Sequence, residues 1–377
     1  MTFYREMGVS AGINAWGHRT LLGGSILPAE VAQAMNDSND QFVEMSDVLT
    51  KSGEYIAEFL GTESAFVTSG AAAGLILSTA ALMAGKDPDK MGQLPDTTGM
   101  KDKIVFQRCQ KYNYMRCFTV AGSKLVLAGD DKGCTVKQFE AAIGPDTVAV
   151  AYFESSGWGP SVLTVDQVRK IADNHDLPMV LDAASRIYPL DLFRRLCQTG
   201  DLTCIGAKYI EAPNSTGIVA GRKELVEAVA ANAFIGFEEA GLEGAPLPIG
   251  RGFKVDRQEV VGVAAAVKRW FTMDHEQRLA VFDSRMRVVQ QGLRGVKGVT
   301  ASLPKDPPVG PGVGLTVKVD PMVTGKTAAQ VVAELKRGDP PIWMGAEGDN
   351  LYVHVPTLND GEDRVVMERL KKVLTSR

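Results

Sequence analysis

Three groups of residues in this chain could carry chemistry, and their order along it gives them meaning. Lys208 lies in CIGAKYIEAP, after an apolar run and before a turn rich in Pro, Asn and Ser. Asp182 closes another apolar run, PMVLD, 26 residues earlier. Further upstream, the stretch ESAFV opens into the small-residue loop TSGAAAG, residues 68–74. A buried amine is costly unless it has a task. At a strand end it can form a Schiff base with a carbonyl cofactor and then act as acid and base. A carboxylate at a strand end can keep a pyridine nitrogen protonated, which makes the ring an electron sink. Backbone N–H groups at a helix start can hold a phosphate, here at Ser69, Gly70 and Ala71. Lysine, carboxylate and anion cup are the three fixtures that pyridoxal 5′-phosphate (PLP) needs. Each alone has a plainer reading. The lysine could reach solvent along an apolar stem, the aspartate could cap the next turn, and the small residues could serve tight helix–sheet packing. The ordered set points to PLP.

The arginines add a substrate class. Arg108 follows KIVFQ, while Arg251 and Lys254 sit in the Gly-flanked loop IGRGFKVD. A guanidinium fork binds carboxylate or phosphate through two parallel hydrogen bonds. These three residues are expected to bind a small anionic substrate. Arg186, after DAAS, reads as a surface ion pair. His18, near a glycine loop, reads as structural, and His354 as core or rim. Trp158 in SSGWGPS could meet a ligand or another subunit.

The elements that must position these residues alternate. ESAFVTSG, KIVFQR, SKLVLAG, TVAVAYF, PMVLDAA, DLTCIGA and TGIVAG read as strands. AAAGLILSTAALMAG, QKYNYMRCFTVAG, VKQFEAAIG, TVDQVRKIADNHD and PLDLFRRLCQTG read as helices between or after them. Alternation of this kind predicts a mostly parallel sheet with helices on both faces, an α/β fold. Ligands in such sheets sit outside the carboxyl ends of the strands, where Asp182, Ser69 and Lys208 all fall. From residue 256 two helical stretches lead to a small α+β domain with strands GVGLTVKVD and NLYVHVP. The expected division is therefore 1–255, an N-terminal arm and large domain, and 256–377, a helical link and small domain. The Gly-rich first 25 residues are expected to wrap over a body.

Composition narrows the classes. The chain has 377 residues, 45% hydrophobic and 23% charged, which suits an ordinary globular protein of two domains. A net charge of −4 argues against a dedicated nucleic-acid binder. No apolar run approaches the roughly 20 residues of a membrane span, and the N-terminal residues show no signal-peptide pattern. The five cysteines are scattered, with no CxxC and no histidine pair at ligand spacing, so no metal is expected and a reduced cytoplasmic setting fits.

On these residues the chain resembles the selenocysteine synthase-like branch of the fold type I PLP enzymes, and within it the D-glucosaminate-6-phosphate ammonia-lyase type. The resemblance runs from about residue 13 to about residue 270. It rests on INAWGHRTLLGGSILPAEV, VTSGAAAGLILSTAALMAG, IVFQRCQKYNY, PMVLDAAS, DLTCIGAK, TGIVAGRKELV and IGRGFKVDRQEVVGVAAAV. It implies that Lys208 carries PLP and that Asp182 pairs with the ring nitrogen. Gln110 stands where many relatives place a histidine over the ring. Ile205-Gly206-Ala207 replaces a Ser-Gly-Gly, and Gly252-Phe253 replaces a Pro-Met pair. The resemblance also implies an active site at a homodimer interface. It implies no tRNA substrate, because the chain begins almost at the catalytic core. The expected reaction is α-proton removal and β-elimination from a β-hydroxy-α-amino acid, which could be a phosphorylated amino sugar acid, giving a 2-oxo acid and ammonia. A racemase, epimerase or aldolase would use the same machinery, and a silent binding protein would keep only the scaffold.

Overall fold

The computed structural model describes residues 3–155, 157–236, 247–304 and 313–376. The chain divides into two units: residues up to Ile26 together with those from Met273 onward, and Leu27–Thr272.

Apart from the first strand, β1 (Ile13–Ala15), which belongs to the smaller unit, the early elements build the larger one. Helices α1 (Ala29–Asp37) and α2 (Met45–Leu60) lead into β2 (Ser64–Thr68) and α3 (Ala71–Ala84). Then come β3 (Lys103–Gln107), β4 (Lys124–Ala128), β5 (Thr147–Phe153), α4 (Val165–Asn174), β6 (Met179–Asp182), α5 (Leu190–Thr199), β7 (Leu202–Gly206), β8 (Gly217–Gly221), α6 (Lys223–Ala231) and α7 (Arg257–Thr272). The strands form one sheet in the order β2-β8-β7-β6-β5-β3-β4. Only β8 runs against the rest. β6, β7 and β8 are buried at every position, as strands covered on both faces must be. α3 is buried almost all round and accordingly apolar on every side.

The stretch QKYNYMRCF, expected as a helix, forms two short 3₁₀ turns instead, Arg108–Gln110 and Asn113–Phe118. Its aromatic side chains explain the difference. Phe118 is fully buried and Tyr112 turns in against Phe153, so tertiary packing overrides helical propensity.

The domain division also differs from the expected one. α7 packs on α1 and α2, and the Trp270 indole donates to the Ile187 carbonyl at 2.9 Å. The larger unit therefore extends to Thr272 rather than stopping at 255. Within the first 25 residues, Ile13, Asn14 and Ala15 form a strand that pairs in parallel with Ile342, Trp343 and Met344. The smaller unit is a five-stranded sheet, β1-β11-β12-β10-β9, with β9 (Val299–Ser302), β10 (Gly314–Val319), β11 (Ile342–Glu347) and β12 (Asn350–His354). Its core joins Leu315, Val317, Ile342, Leu351 and Val353 to residues of α8 (His275–Gly292), α9 (Ala328–Lys336) and α10 (Glu362–Thr375).

Candidate active site at the carboxyl edge of the large sheet

With β8 alone reversed, the carboxyl ends of β2, β3, β5, β6 and β7 share one edge of the sheet, the edge at which open α/β sheets bind ligands. That edge collects most of the residues singled out in the sequence.

Asp182 is the last residue of β6 and only 3% exposed. One carboxylate oxygen, Oδ1, accepts the Ala184 N–H at 3.1 Å. The other, Oδ2, accepts the hydroxyl of Tyr112. Tyr112 follows the turn at the end of β3, and its ring lies flat on Phe153, with centroids 4.0 Å apart and planes 2° from parallel. Phe153 in turn pairs in register with Asp182 across β5 and β6. Burial raises the Asp182 carboxyl above its ordinary value, and the hydrogen bonds from Tyr112 and Ala184 oppose that rise. Burial first, and then the neighbouring Asp182 charge, push the Tyr112 hydroxyl strongly upward, so it stays protonated and donates.

The opposite end is built from main chain. The α3 N-terminus has no side-chain cap, and Gly70 precedes it with φ of +92°, a conformation that glycine adopts without strain. The Thr68 hydroxyl braces the turn by donating to the Gly70 carbonyl at 3.0 Å. Gly217, at the start of β8, lies directly beneath: a Cβ there would come within 2.5 Å of the Gly70 carbonyl carbon and 2.6 Å of the Ala71 nitrogen. The cradle thus requires a residue without a side chain at 217.

Lys208 is the second residue of the 3₁₀ turn Ala207–Ile210 that follows β7. It is half-buried, with its ammonium 5.3 Å from the centre of the Tyr209 ring. Main-chain bonds tie its segment to both ends of the site. Gly206 N–H donates to the Ala184 carbonyl at 2.9 Å, and Ala207 N–H to the Thr216 carbonyl at 3.0 Å. The residues fit PLP: a buried carboxylate suits a pyridinium, a helix start without a side-chain cap suits a phosphate, and an amine lies on the segment tied to both.

Arg108 opens the turn after β3 at this same edge and is half-buried. Gln110 is fully buried, and its amide nitrogen donates to the Phe153 carbonyl at 2.9 Å. Its amide oxygen is buried with no hydrogen-bond partner. Arg251 and Lys254 sit elsewhere along α3. Their neighbours Ile249 and Phe253 pack with Ile76, Ala80 and Met83, about 8 Å or more along the helix from the cup at a 1.5 Å rise per residue. Arg186 does not form a surface pair. It faces Glu154 at 3.6 Å, with both side chains mostly buried, and burial raises the Glu154 carboxyl against the pull of Arg186. The Trp158 indole donates to the Phe153 carbonyl at 2.8 Å. His18 and His354 belong to the smaller unit, and burial lowers the basicity of His354. Among the described residues no group of three or more His, Cys, Asp or Glu is placed to hold a metal ion.

Sequence reasoning missed Tyr112, Phe153 and Glu154. The available signal was the aromatic run KYNY immediately after a strand that ends at the ligand edge.

No family model matches the chain. It is 27% identical to a D-glucosaminate-6-phosphate ammonia lyase of Salmonella typhimurium over 98% of this chain and 97% of that one. It is 28% identical to a 5′-C-glycyluridine monooxygenase-decarboxylase of a Streptomyces species over 98% of this chain and 92% of that one. An L-seryl-tRNA(Sec) selenium transferase of Moorella thermoacetica is 23% identical over 85% of this chain and 70% of its own. Among solved structures, a D-glucosaminate-6-phosphate ammonia-lyase superposes with a TM-score of 0.84 at 24% identity, covering 99% of this chain and 98% of that one. NtdA of Bacillus subtilis with bound cofactor PMP superposes at 0.58 and 15% identity, covering 93% and 83%. The structural likenesses establish the fold, and the sequence relatives extend along the whole chain. The chain has the fold type I scaffold of PLP-dependent enzymes and is similar along almost its whole length to a D-glucosaminate-6-phosphate ammonia lyase and, more distantly, to an L-seryl-tRNA(Sec) selenium transferase.

Proposed function

We propose that this chain is a PLP-dependent ammonia-lyase acting on a β-hydroxy-α-amino acid with an additional anionic group, such as a phosphorylated amino sugar acid. One observation carries the reading. Lys208, the buried Asp182 and the uncapped α3 start over Gly217 gather at one sheet edge, in a chain similar along its whole length to such a lyase. PLP, when bound, supplies an electron sink for a bond broken at the substrate α-carbon. The chain supplies the rest. Ser69, Gly70 and Ala71 offer N–H groups and a helix start to the phosphate. Asp182 holds a countercharge for the protonated ring nitrogen in a site dry enough to make it count. The Lys208 amine Nζ takes the α-proton once it is free to act as a base. Arg108 would hold a substrate carboxylate, and Arg251 and Lys254 a distal anionic group. Loss of the α-proton and the β-hydroxyl, followed by hydrolysis, leaves a 2-oxo acid and ammonia, so the overall reaction needs no oxidant.

A second reading rests on the Streptomyces relative, whose name describes a monooxygenase-decarboxylase. There the bond broken at the α-carbon would be the one to the carboxylate. Five free cysteines fit a cytoplasmic protein, and no described helix is long and apolar enough to cross a membrane. Large exposed apolar side chains, Phe42 at 97%, Leu21 at 80% and Ile26 at 71%, support a homodimer, which sedimentation would check.

The test is the visible spectrum of purified protein with PLP, for wild type and Lys208→Ala, followed by borohydride and peptide mapping. Cofactor trapped on the Lys208 peptide, absent in the variant, supports the reading. Absence of any cofactor band in the wild type sinks it. Assay of D-glucosaminate-6-phosphate for 2-oxo acid and ammonia, against oxygen uptake and carbon dioxide, separates lyase from decarboxylase.

A further inference from the structure

Asp182 meets more than a main-chain N–H. The Tyr112 hydroxyl donates to Oδ2 while Ala184 donates to Oδ1. A carboxylate offers about four lone-pair directions, so two remain for other donors. The Tyr112 ring is held from several sides. It lies flat on Phe153 at 4.0 Å, faces Phe106 at 6.3 Å and 14°, and meets Tyr114 at 6.0 Å. The turn just before it is pinned by the Gln110 amide on the Phe153 carbonyl. To leave Asp182, Tyr112 would have to give up both a hydrogen bond to a charged group and a parallel ring stack.

We propose that Tyr112 is a positioning residue that remains on Asp182 when PLP is bound, holding the carboxylate charged and correctly turned so that the free lone pairs meet the ring nitrogen. This rests on the PLP reading above. Among the described residues, Tyr112 is the one side chain that donates a hydrogen bond to Asp182. Cys117, from the turn before β4, and Cys204, in register on β7, also face it. Burial raises both thiols, so neither brings charge to the site. The hydrogen bonds that favour the ionised form come from Tyr112 first and the Ala184 N–H second.

The alternative is that Tyr112 is a plug, occupying Asp182 only until the cofactor displaces it. Tyr112→Phe separates the two, because it keeps the ring stack and removes the hydroxyl. PLP would be titrated into wild type, Tyr112→Phe, Asp182→Asn and the double variant, following the visible band across pH, with circular dichroism to confirm folding. The expected result is on the order of tenfold weaker PLP binding in Tyr112→Phe. Its binding should also fall off at higher pH than in wild type as acid is added, because Asp182 gains its proton sooner. The effect should vanish in the Asp182→Asn background. Equal or tighter binding in Tyr112→Phe, or an equal loss in both backgrounds, overturns the proposal in favour of a plug or of simple packing. If wild type itself takes up no PLP, the cofactor reading fails and this inference falls with it. A wild type that binds PLP beside an unaffected Tyr112→Phe removes this inference alone.

Discussion

The two ends of the proposed cofactor site are made of different material. At the Asp182 end, side chains from β5, β6 and the segment after β3 converge: a carboxylate, a phenol and a phenyl ring, packed until the acid is 3% exposed. At the α3 end the working groups are main-chain, and the side chains matter by being small, as Gly70, Ala71 and Gly217 show. The first end gains strength by excluding water, which makes every charge interaction stronger and every error costly. The second end gains from many weak, aligned N–H groups whose position follows from the helix itself. Substitutions should therefore act sharply at the first end and diffusely at the second.

The largest effect tests that contrast directly. Asp182→Asn leaves the ring nitrogen without a countercharge in a dry site, a loss of about 3 kcal/mol or more by analogy with breaking a buried ion pair. PLP affinity should fall at least a hundredfold, as read by titration of the visible band. Gly217→Ala comes next. Its Cβ must displace the Gly70–Ala71 turn, with a cost of about 1–3 kcal/mol in overpacking. PLP should bind about fivefold to a hundredfold more weakly, according to how much of that cost falls on the phosphate end, while pyridoxal, which lacks the phosphate, binds as before. An equal loss of both ligands would show that the two ends are not separable.

A third measurement needs no cofactor. Burial raises the Asp182 carboxyl above its ordinary value of 3.8. Below that value the acid is protonated both folded and unfolded and costs nothing. As pH rises past 3.8 the unfolded chain ionises first, so the folded state loses stability until the raised value is passed. Wild type should thus lose stability relative to Asp182→Asn as pH rises above about 4, as chemical denaturation would record. A pH-independent difference would mean that Asp182 is far better compensated than its burial implies. The smallest effect belongs to Ser69→Ala, where one hydroxyl is lost among several N–H donors. Affinity for PLP should change about threefold or less, near the lower edge of a single neutral hydrogen bond.

The sequence showed much of the fold because strand and helix periods are local. TVAVAYF, PMVLDAAS and VTSGAAAGLILSTAALMAG read as they fold. It failed where distant packing decides. QKYNYMRCF carries helical residues, yet Tyr112 is drawn onto Phe153 and Asp182, 41 and 70 positions away in sequence. β1 was invisible because three residues hold no period, and their strand exists only where β11 lies beside them.

By itself, the sequence determined the α/β class and the order of small-residue loop, Asp182 and Lys208, since each follows from a short apolar run ending in a reactive or small residue. Tertiary structure alone decided what surrounds them. Tyr112 caps Asp182, Gly217 underlies the α3 start, and Arg186 meets Glu154 in the interior instead of in solvent. The reason is that burial and direction are properties of neighbours far apart in the chain, and these set the charge state of an acid and the room left for a ligand.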